Sequence, residues 1–119
     1  MLQSETTELL AKNQFAEAAK RIEEHGKTNR RDHPWVMRWV LQLTCRLVKE
    51  DKAPQAFQFV SSLENPLWRE AAFQIAAALC VRRGLAGYAW QFAQESRLSA
   101  TEEVALLHGL VVALAEKRE

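Results

Sequence analysis

The side chains that could carry chemistry are few in this sequence, and they are scattered along it. Nucleophilic and metal-assisted catalysis both need histidine, cysteine or carboxylate side chains that converge on one point. His25, His33 and His108 lie in different segments, and none has a ligand or triad partner at helical spacing. The sequence also contains no phosphate-binding loop, dinucleotide fingerprint or nucleophile elbow. We therefore predict no catalytic residue, no metal site and no cofactor.

The two cysteines point to packing rather than reactivity. Cys45 and Cys80 each lie within an apolar segment of helical spacing. A buried thiol behaves as a small hydrophobic side chain, and two cysteines are far from a disulfide framework. We expect both in the core, with a disulfide or a reactive thiol as the alternative.

Basic side chains are concentrated in the middle of the chain. Residues 26–83 contain ten lysines or arginines and five acids, a net charge of +5. Residues 1–25 and 84–119 each contain three basic and five acidic side chains, a net charge of −2. This distribution indicates a positive patch that suits an acidic partner segment.

A line of polar side chains in the basic region is the candidate binding surface. Its members recur every three or four residues and so share one face of a helix. They are Arg38, Gln42, Arg46 and Lys49. Arg82 aligns with Lys49 when the sequence is compared with itself, and it extends the line into the next predicted repeat. We hypothesise that these residues form a groove floor for an acidic or helical partner segment, and an ordinary solvated face is the competing interpretation.

The elements that position these residues are helices. Apolar side chains recur at helical spacing along the whole chain. The spacing predicts seven helices, over residues 3–12, 14–25, 34–50, 53–63, 66–83, 85–96 and 99–117. A chain of 119 residues is one domain at this size, so we expect a single all-α domain over residues 1–119.

Residues suited to helix ends lie between these segments. Asn13, Asp51 and Gly84 tolerate the left-handed conformation that ends a helix. Asp32 and Asn65 precede helices whose first turn contains proline, which are favourable N-cap positions. Ser99 with Glu102 is predicted to form a capping box, and the polar residues 26–31 are predicted to form a loop.

The chain also resembles itself at a fixed offset. The shift that places Trp35 on Trp68 superposes apolar or small residues on one another, and we call this shift the repeat offset. The first segment aligns with the second by a longer shift of 38 residues, compared with 33 residues for the repeat offset. The aligned pairs include Leu47 with Cys80, Ala56 with Ala89, Phe57 with Trp90 and, in the first segment, Ala18 with Ala56. Such self-similarity is typical of helical repeat proteins. We therefore predict three helical hairpins, over residues 3–25, 34–63 and 66–96, and a closing helix over residues 99–117.

The stretch from Asn13 to Ala18, with Phe15 two residues after the asparagine, resembles the turn and second-helix start of a tetratricopeptide (TPR) repeat. Two later turns keep the spacing but contain Ala53 and Ala86 where the aromatic residue is expected. The resemblance covers the whole chain and implies a right-handed superhelix of antiparallel helix pairs with a concave peptide-binding groove. By size and helix count the chain also resembles the small TPR-like chaperones of type III secretion systems, which hold a secreted subunit before export.

These observations predict a non-catalytic adaptor or chaperone that binds a protein or peptide partner, with a helical partner segment expected. RNA or DNA binding by the basic middle region is the alternative function. The whole-chain pI of about 7.8 argues against it, because nucleic-acid-binding domains are strongly basic. No signal peptide is visible and no apolar run reaches the roughly 18 residues of a membrane span. We therefore expect a cytoplasmic protein without a membrane partner.

The closing helix contains more apolar residues than one packing face requires. Val104, Leu107, Val111 and Leu114 form one stripe, whereas Leu106, Leu110 and Ala113 form another. One stripe can pack on the preceding hairpin, and the last element of a repeat array normally presents a polar outer face. We expect Leu106 and Leu110 to bind a partner helix or a second copy of the chain, as in a homodimer. The alternative is that the superhelix curls and covers both stripes.

Overall fold

The computed structural model describes residues 2–28 and 33–117, which form seven helices and no strand. This confirms the predicted all-α class, and each helix end lies within three residues of its predicted position. None of these helices combines the length and the apolar character that crossing a bilayer requires. The helices are α1 (Leu2–Ala11), α2 (Phe15–Thr28), α3 (His33–Lys49), α4 (Ala53–Ser61), α5 (Pro66–Arg82), α6 (Ala86–Glu95) and α7 (Ala100–Lys117).

The second helix is longer than the sequence predicts. Residues 26–28 continue α2, although they were assigned to a loop. Gly26 is buried there, and a Cβ atom at this position would lie 3.1 Å from the Trp68 ring on α5. Tertiary packing against Trp68 thus accounts for the extra turn. Arg30, Arg31 and the predicted cap Asp32 lie outside the described residues.

Three helix ends share one backbone geometry. Asn13, Asp51 and Gly84 have φ angles of 60°, 63° and 77°, which confirms that these positions adopt the left-handed conformation. In each case the next residue donates its amide N–H to a carbonyl five positions earlier. The bonds are Gln14 to Leu9 at 2.9 Å, Lys52 to Leu47 at 2.8 Å and Leu85 to Cys80 at 2.6 Å. This pattern is the Schellman motif, which reverses the chain after α1, α3 and α5.

Two of the predicted N-caps are present. The Asn65 side chain accepts hydrogen bonds from the amides of Leu67 at 3.0 Å and Trp68 at 3.3 Å. The Ser99 hydroxyl accepts from the Glu102 amide at 3.3 Å. The Glu102 carboxylate does not complete a capping box, because it binds Arg69 of α5 instead.

The helices pack in two layers. In one layer α5 lies between α3 and α7 and contacts both. In the other layer α2 contacts α4, and α4 meets α6 through Phe57, whose ring centroid lies 4.5 Å from that of Phe92. Phe57, Phe73 and Leu106 are among the fully buried side chains that join the layers. The layer of α3, α5 and α7 presents the candidate site.

Three alanines at equivalent positions of α2, α4 and α6 are fully buried, as expected where paired helices pack closely. Ala18, Ala56 and Ala89 are each 0% exposed. We expect Ala56→Leu and Ala89→Leu each to lower the free energy of unfolding by roughly 1–3 kcal/mol, since the larger side chain must displace neighbours. The measurement is chemical denaturation followed by circular dichroism. Ala16→Leu, at an exposed position of α2, is the matched control and should change stability by less than about 0.5 kcal/mol. Two neutral substitutions at the buried positions would contradict this account of the close packing.

The approach of α5 to α7 is close enough to involve the backbones. A Cβ atom built on Gly109 of α7 would lie 2.2 Å from the carbonyl oxygen of Gln74 on α5. No side chain beyond hydrogen fits at this point. Packing therefore requires glycine at position 109, where the backbone of α7 lies directly against the backbone of α5.

Candidate functional site

The histidines and cysteines that first suggested chemistry lie on α2, α3, α5 and α7. No group of three or more histidine, cysteine, aspartate or glutamate side chains could hold a metal ion there. His108 is exposed on α7, and the side chain of His33 lies outside the described residues. His25 is half-buried, with its ring 6.3 Å from that of Trp35.

Both cysteines are free thiols that are packed against the fold. Cys80 is fully buried and Cys45 is half-buried. Burial raises the pKa of the Cys80 thiol to about 11, and it raises the pKa of Cys45 despite the nearby Lys49 charge. A raised pKa lowers the fraction of nucleophilic thiolate at neutral pH. This environment fits the structural role expected for both.

The predicted polar line lies on one exposed face of α3. Arg38, Gln42, Arg46 and Lys49 are all exposed, as helical spacing requires. The Arg46 guanidinium carbon lies 5.7 Å from the centre of the Trp39 ring, a cation–π geometry. Trp39 is itself held by a 3.0 Å hydrogen bond from its indole nitrogen to Thr6 of α1. The line is thus a charged strip on a well-anchored helix.

Arg82 lies apart from that strip. It is exposed near the end of α5, where its guanidinium forms a 3.5 Å ion pair with Glu116 of α7. Its side chain is 65% exposed, so this pair contributes little to stability. Arg82 therefore faces α7 rather than α3, and its charge is partly neutralised.

The surface between the strip and α7 is apolar. On α5 the half-buried side chains include Ala71, Ile75, Ala78 and Leu79. On α7 the outward surface includes Val104 at 66% and Val112 at 42% exposure. We call the exposed surface of α3 and α5, together with the side of α7 that carries Val104, His108 and Val112, the outer face. It is basic at α3 and mostly apolar at α5 and α7, with Gln74, Arg82 and His108 as exposed polar members.

The closing helix corrects one sequence-based assignment. Leu106 and Leu110 are 0% and 4% exposed, so they belong to the core and cannot bind a partner. The opposite stripe is open instead, with Val111 at 64% and Leu114 at 45% exposure. The assignment of Leu106 and Leu110 to the uncovered stripe is therefore wrong, and the two stripes are exchanged relative to the prediction. Gly109 accounts for the exchange, because it lies on the Leu106 side and allows that side to approach α5.

A shallow groove of about 440 Å³ runs between α5 and α7 on the outer face. Its walls combine apolar and polar side chains from both helices. The lining residues are Glu70, Gln74, Ala100, Thr101, Val104, Ala105 and His108. The groove is open to solvent and is large enough to hold individual side chains of a partner.

A second recess, of about 630 Å³, lies where α2 meets the start of α5. Its most unusual member is Glu23, a 7% exposed carboxylate. One Glu23 oxygen accepts from the amides of Glu64 and Asn65, both at 2.7 Å. Through this oxygen the carboxylate holds the α4–α5 connection in place, which is a structural role.

The sequence analysis missed one buried ion pair. Arg69 Nε donates to Glu102 Oε1 at 2.7 Å, and Arg69 Nη1 also donates to the Leu63 carbonyl at 2.7 Å. Arg69 and Glu102 are separated by the repeat offset. That offset was therefore the available signal, since residues one repeat apart can lie at matching positions of neighbouring helices.

Comparison with known proteins does not assign a family or a function to this site. No protein-family model, no curated protein and no solved structure matches the chain.

Proposed function

We propose that the chain is a non-catalytic interaction module, an adaptor or chaperone that binds a partner polypeptide on its outer face. The observation that carries the proposal is the composition of that face. A basic strip on α3 lies beside exposed apolar surface on α5 and α7. Exposed apolar surface with a charged border is typical of protein-binding sites. A segment with acidic and apolar side chains would complement both parts.

The architecture proposed is TPR-like, with three helical hairpins and a closing helix. Two observations support it. The Schellman motifs at Asn13, Asp51 and Gly84 end the first helix of each proposed hairpin in the same way. Side chains separated by the repeat offset join two neighbouring first helices in the contact of Arg69 with Glu102, and Trp39 joins the first two first helices through Thr6. A chaperone that holds a helical export subunit, as in type III secretion, is one form that such a module takes.

Site-specific photo-crosslinking in cell extract tests which face is used. A crosslinker placed at Gln42 of α3 or His108 of α7 should capture a polypeptide. The same probe at Gln58 of α4 or Gln94 of α6, both exposed in the other layer, should not. Recovery of RNA instead of protein would support the alternative function.

Charge reversal then tests the basic strip, with the captured polypeptide as ligand. Arg38→Glu with Arg46→Glu should weaken binding about tenfold or more, equivalent to about 1.4 kcal/mol. The melting temperature should change little, because both side chains are exposed and only the cation–π contact with Trp39, worth about 0.5–1 kcal/mol, is lost.

The matched control is Lys20→Glu with Arg97→Glu, which makes the same change in net charge at exposed positions away from α3. We expect this control to bind within about twofold of the wild type. Equal weakening by both pairs would indicate a nonspecific charge effect and remove the basic strip from the site.

A further inference from the structure

One apolar edge of the molecule lies outside the outer face and takes no part in the proposed partner site. This edge consists of Leu107, Val111 and Leu114 on α7 together with Trp90 on α6, and we call it the C-terminal edge. Val111 is 64%, Trp90 54% and Leu114 45% exposed, and Leu107 is half-buried. Apolar exposure of this extent at three positions of two packed helices is unusual for a surface that stays in water.

The equivalent side of α5 is covered by a helix of this chain. At the repeat offset, Gln74 and Val81 of α5 correspond to Leu107 and Leu114 of α7. The Gln74 backbone lies against Gly109 of α7, and the Val81 carbonyl accepts a 3.4 Å hydrogen bond from Lys117 of α7. The Val81 position of α5 is thus covered by α7, whereas the equivalent Leu114 of α7 is 45% exposed, and the Gln74 side chain stays exposed beside the groove.

The same relation holds in the other layer. Phe57 of α4 corresponds to Trp90 of α6 at the repeat offset. Phe57 is fully buried against the rings of Phe73, Tyr88 and Phe92, whereas Trp90 is 54% exposed. Leu114 and Trp90 therefore expose positions whose equivalents, Val81 and Phe57, are buried inside the stack. The surface is suited to packing by helices like those of the chain itself.

The charge pattern of α7 favours self-association in one orientation. Between Val104 and Ala115 the helix has no charged side chain if His108 is neutral. Glu103 lies at its N-terminal end, and Glu116 and Lys117 lie at its C-terminal end, where Glu116 is paired with Arg82 of α5. An antiparallel pair of α7 helices brings Glu103 of each copy towards the C-terminal end of the other, where Lys117 lies. The helix dipoles are also opposed in this arrangement, which is favourable.

We propose that the C-terminal edge is the interface of a two-fold symmetric homodimer in which the α7 helices of two copies pack antiparallel. Leu107, Val111 and Leu114 then form the apolar centre, and Trp90 packs at its border. Each copy supplies the same patch, as a two-fold interface requires. The outer faces of both copies remain available, so the dimer presents two partner sites.

Sedimentation equilibrium of the full chain tests the interface. We expect a dimer for the wild type at concentrations of about 10–100 μM, a range that detects even moderate affinity. Leu114→Glu should weaken self-association at least about tenfold, because it buries a charge at the interface centre. Leu67→Glu is the matched control: Leu67 is 69% exposed on α5, and this variant should remain a dimer. A wild-type monomer, or a Leu114→Glu dimer of unchanged affinity, would overturn the proposal.

Cysteine crosslinking tests the orientation. Val111 lies near the midpoint of α7, so the antiparallel arrangement brings the two copies of residue 111 close together at the two-fold axis. Under mild oxidation Val111→Cys should form a covalent dimer in high yield, whereas Leu67→Cys should not. A wild-type dimer without Val111→Cys crosslinking would exclude this packing.

The dimer test is separate from the test of partner binding. We expect the monomeric Leu114→Glu variant to retain the outer face and to bind the polypeptide captured by photo-crosslinking.

Discussion

Replacing Gly109 by alanine should lower the free energy of unfolding by roughly 3 kcal/mol, at the upper end of the usual cost of overpacking. Alanine is the better helix former by about 1 kcal/mol, so helix propensity alone predicts the opposite sign. The added methyl group would lie 2.2 Å from the Gln74 carbonyl oxygen and 3.0 Å from its carbon. These are backbone atoms, which cannot rotate away as a side chain can. The two helices must therefore separate, and the contacts of Leu106 and Leu110 with the core are weakened.

Chemical denaturation and thermal melting monitored by circular dichroism measure this loss. A decrease of about 3 kcal/mol corresponds to a fall in the melting temperature of roughly 10 °C for a domain of this size. Gly87→Ala is the control, because Gly87 lies in α6 with no atom within 4 Å of an added Cβ. This variant should be stabilised by about 0.5–1 kcal/mol. If both glycine substitutions stabilise the protein, the backbone contact between α5 and α7 is absent.

The second large effect is expected at the buried ion pair between the same two helices. Arg69→Met should cost about 3–5 kcal/mol, since it leaves the Glu102 carboxylate buried without its cation. The Glu102 side chain is only 9% exposed. The substitution also removes the donor to the Leu63 carbonyl, which Arg69 reaches at 2.7 Å. Urea denaturation at neutral pH measures the loss.

The partner substitution should be milder. Glu102→Leu leaves Arg69 with its bonds to the Leu63 and Glu64 carbonyls, and the Arg69 side chain is 25% exposed and so reaches water. The double variant, Arg69→Met with Glu102→Leu, should be more stable than Arg69→Met alone because no charge remains buried. A double-mutant cycle then gives the coupling energy. Strict additivity of the two substitutions would show that the side chains do not interact.

Gly109 and Arg69 both act where α7 is seated on α5, and this junction determines the surface available for binding. A displaced α7 would change the groove beside Gln74 and the position of Val104 on the outer face. It would also move Val111 and Leu114 on the C-terminal edge. Both variants should therefore be assayed for partner binding only where they remain folded.

The positions of the seven helices could be predicted from the sequence because helix ends are local events. Asn13, Asp51 and Gly84 act through their own backbone conformation, and Asn65 acts through bonds to residues two and three positions ahead. The apolar spacing that predicts each helix also requires no knowledge of its neighbours. The exposed basic strip on α3 follows from the same helical spacing, since its residues share one face.

Only the tertiary structure decided which stripe of α7 became core. Both stripes are apolar, so hydrophobicity alone does not distinguish Leu106 from Val111. The choice depends on shape: Gly109, on the Leu106 side, removes the side chain that would keep α7 away from the α5 backbone. The Glu102 carboxylate, on the same buried side, adds the bond to Arg69. Close packing and pairing across helices depend on atoms far apart in sequence, and for this reason they became visible only when α5 and α7 were placed together.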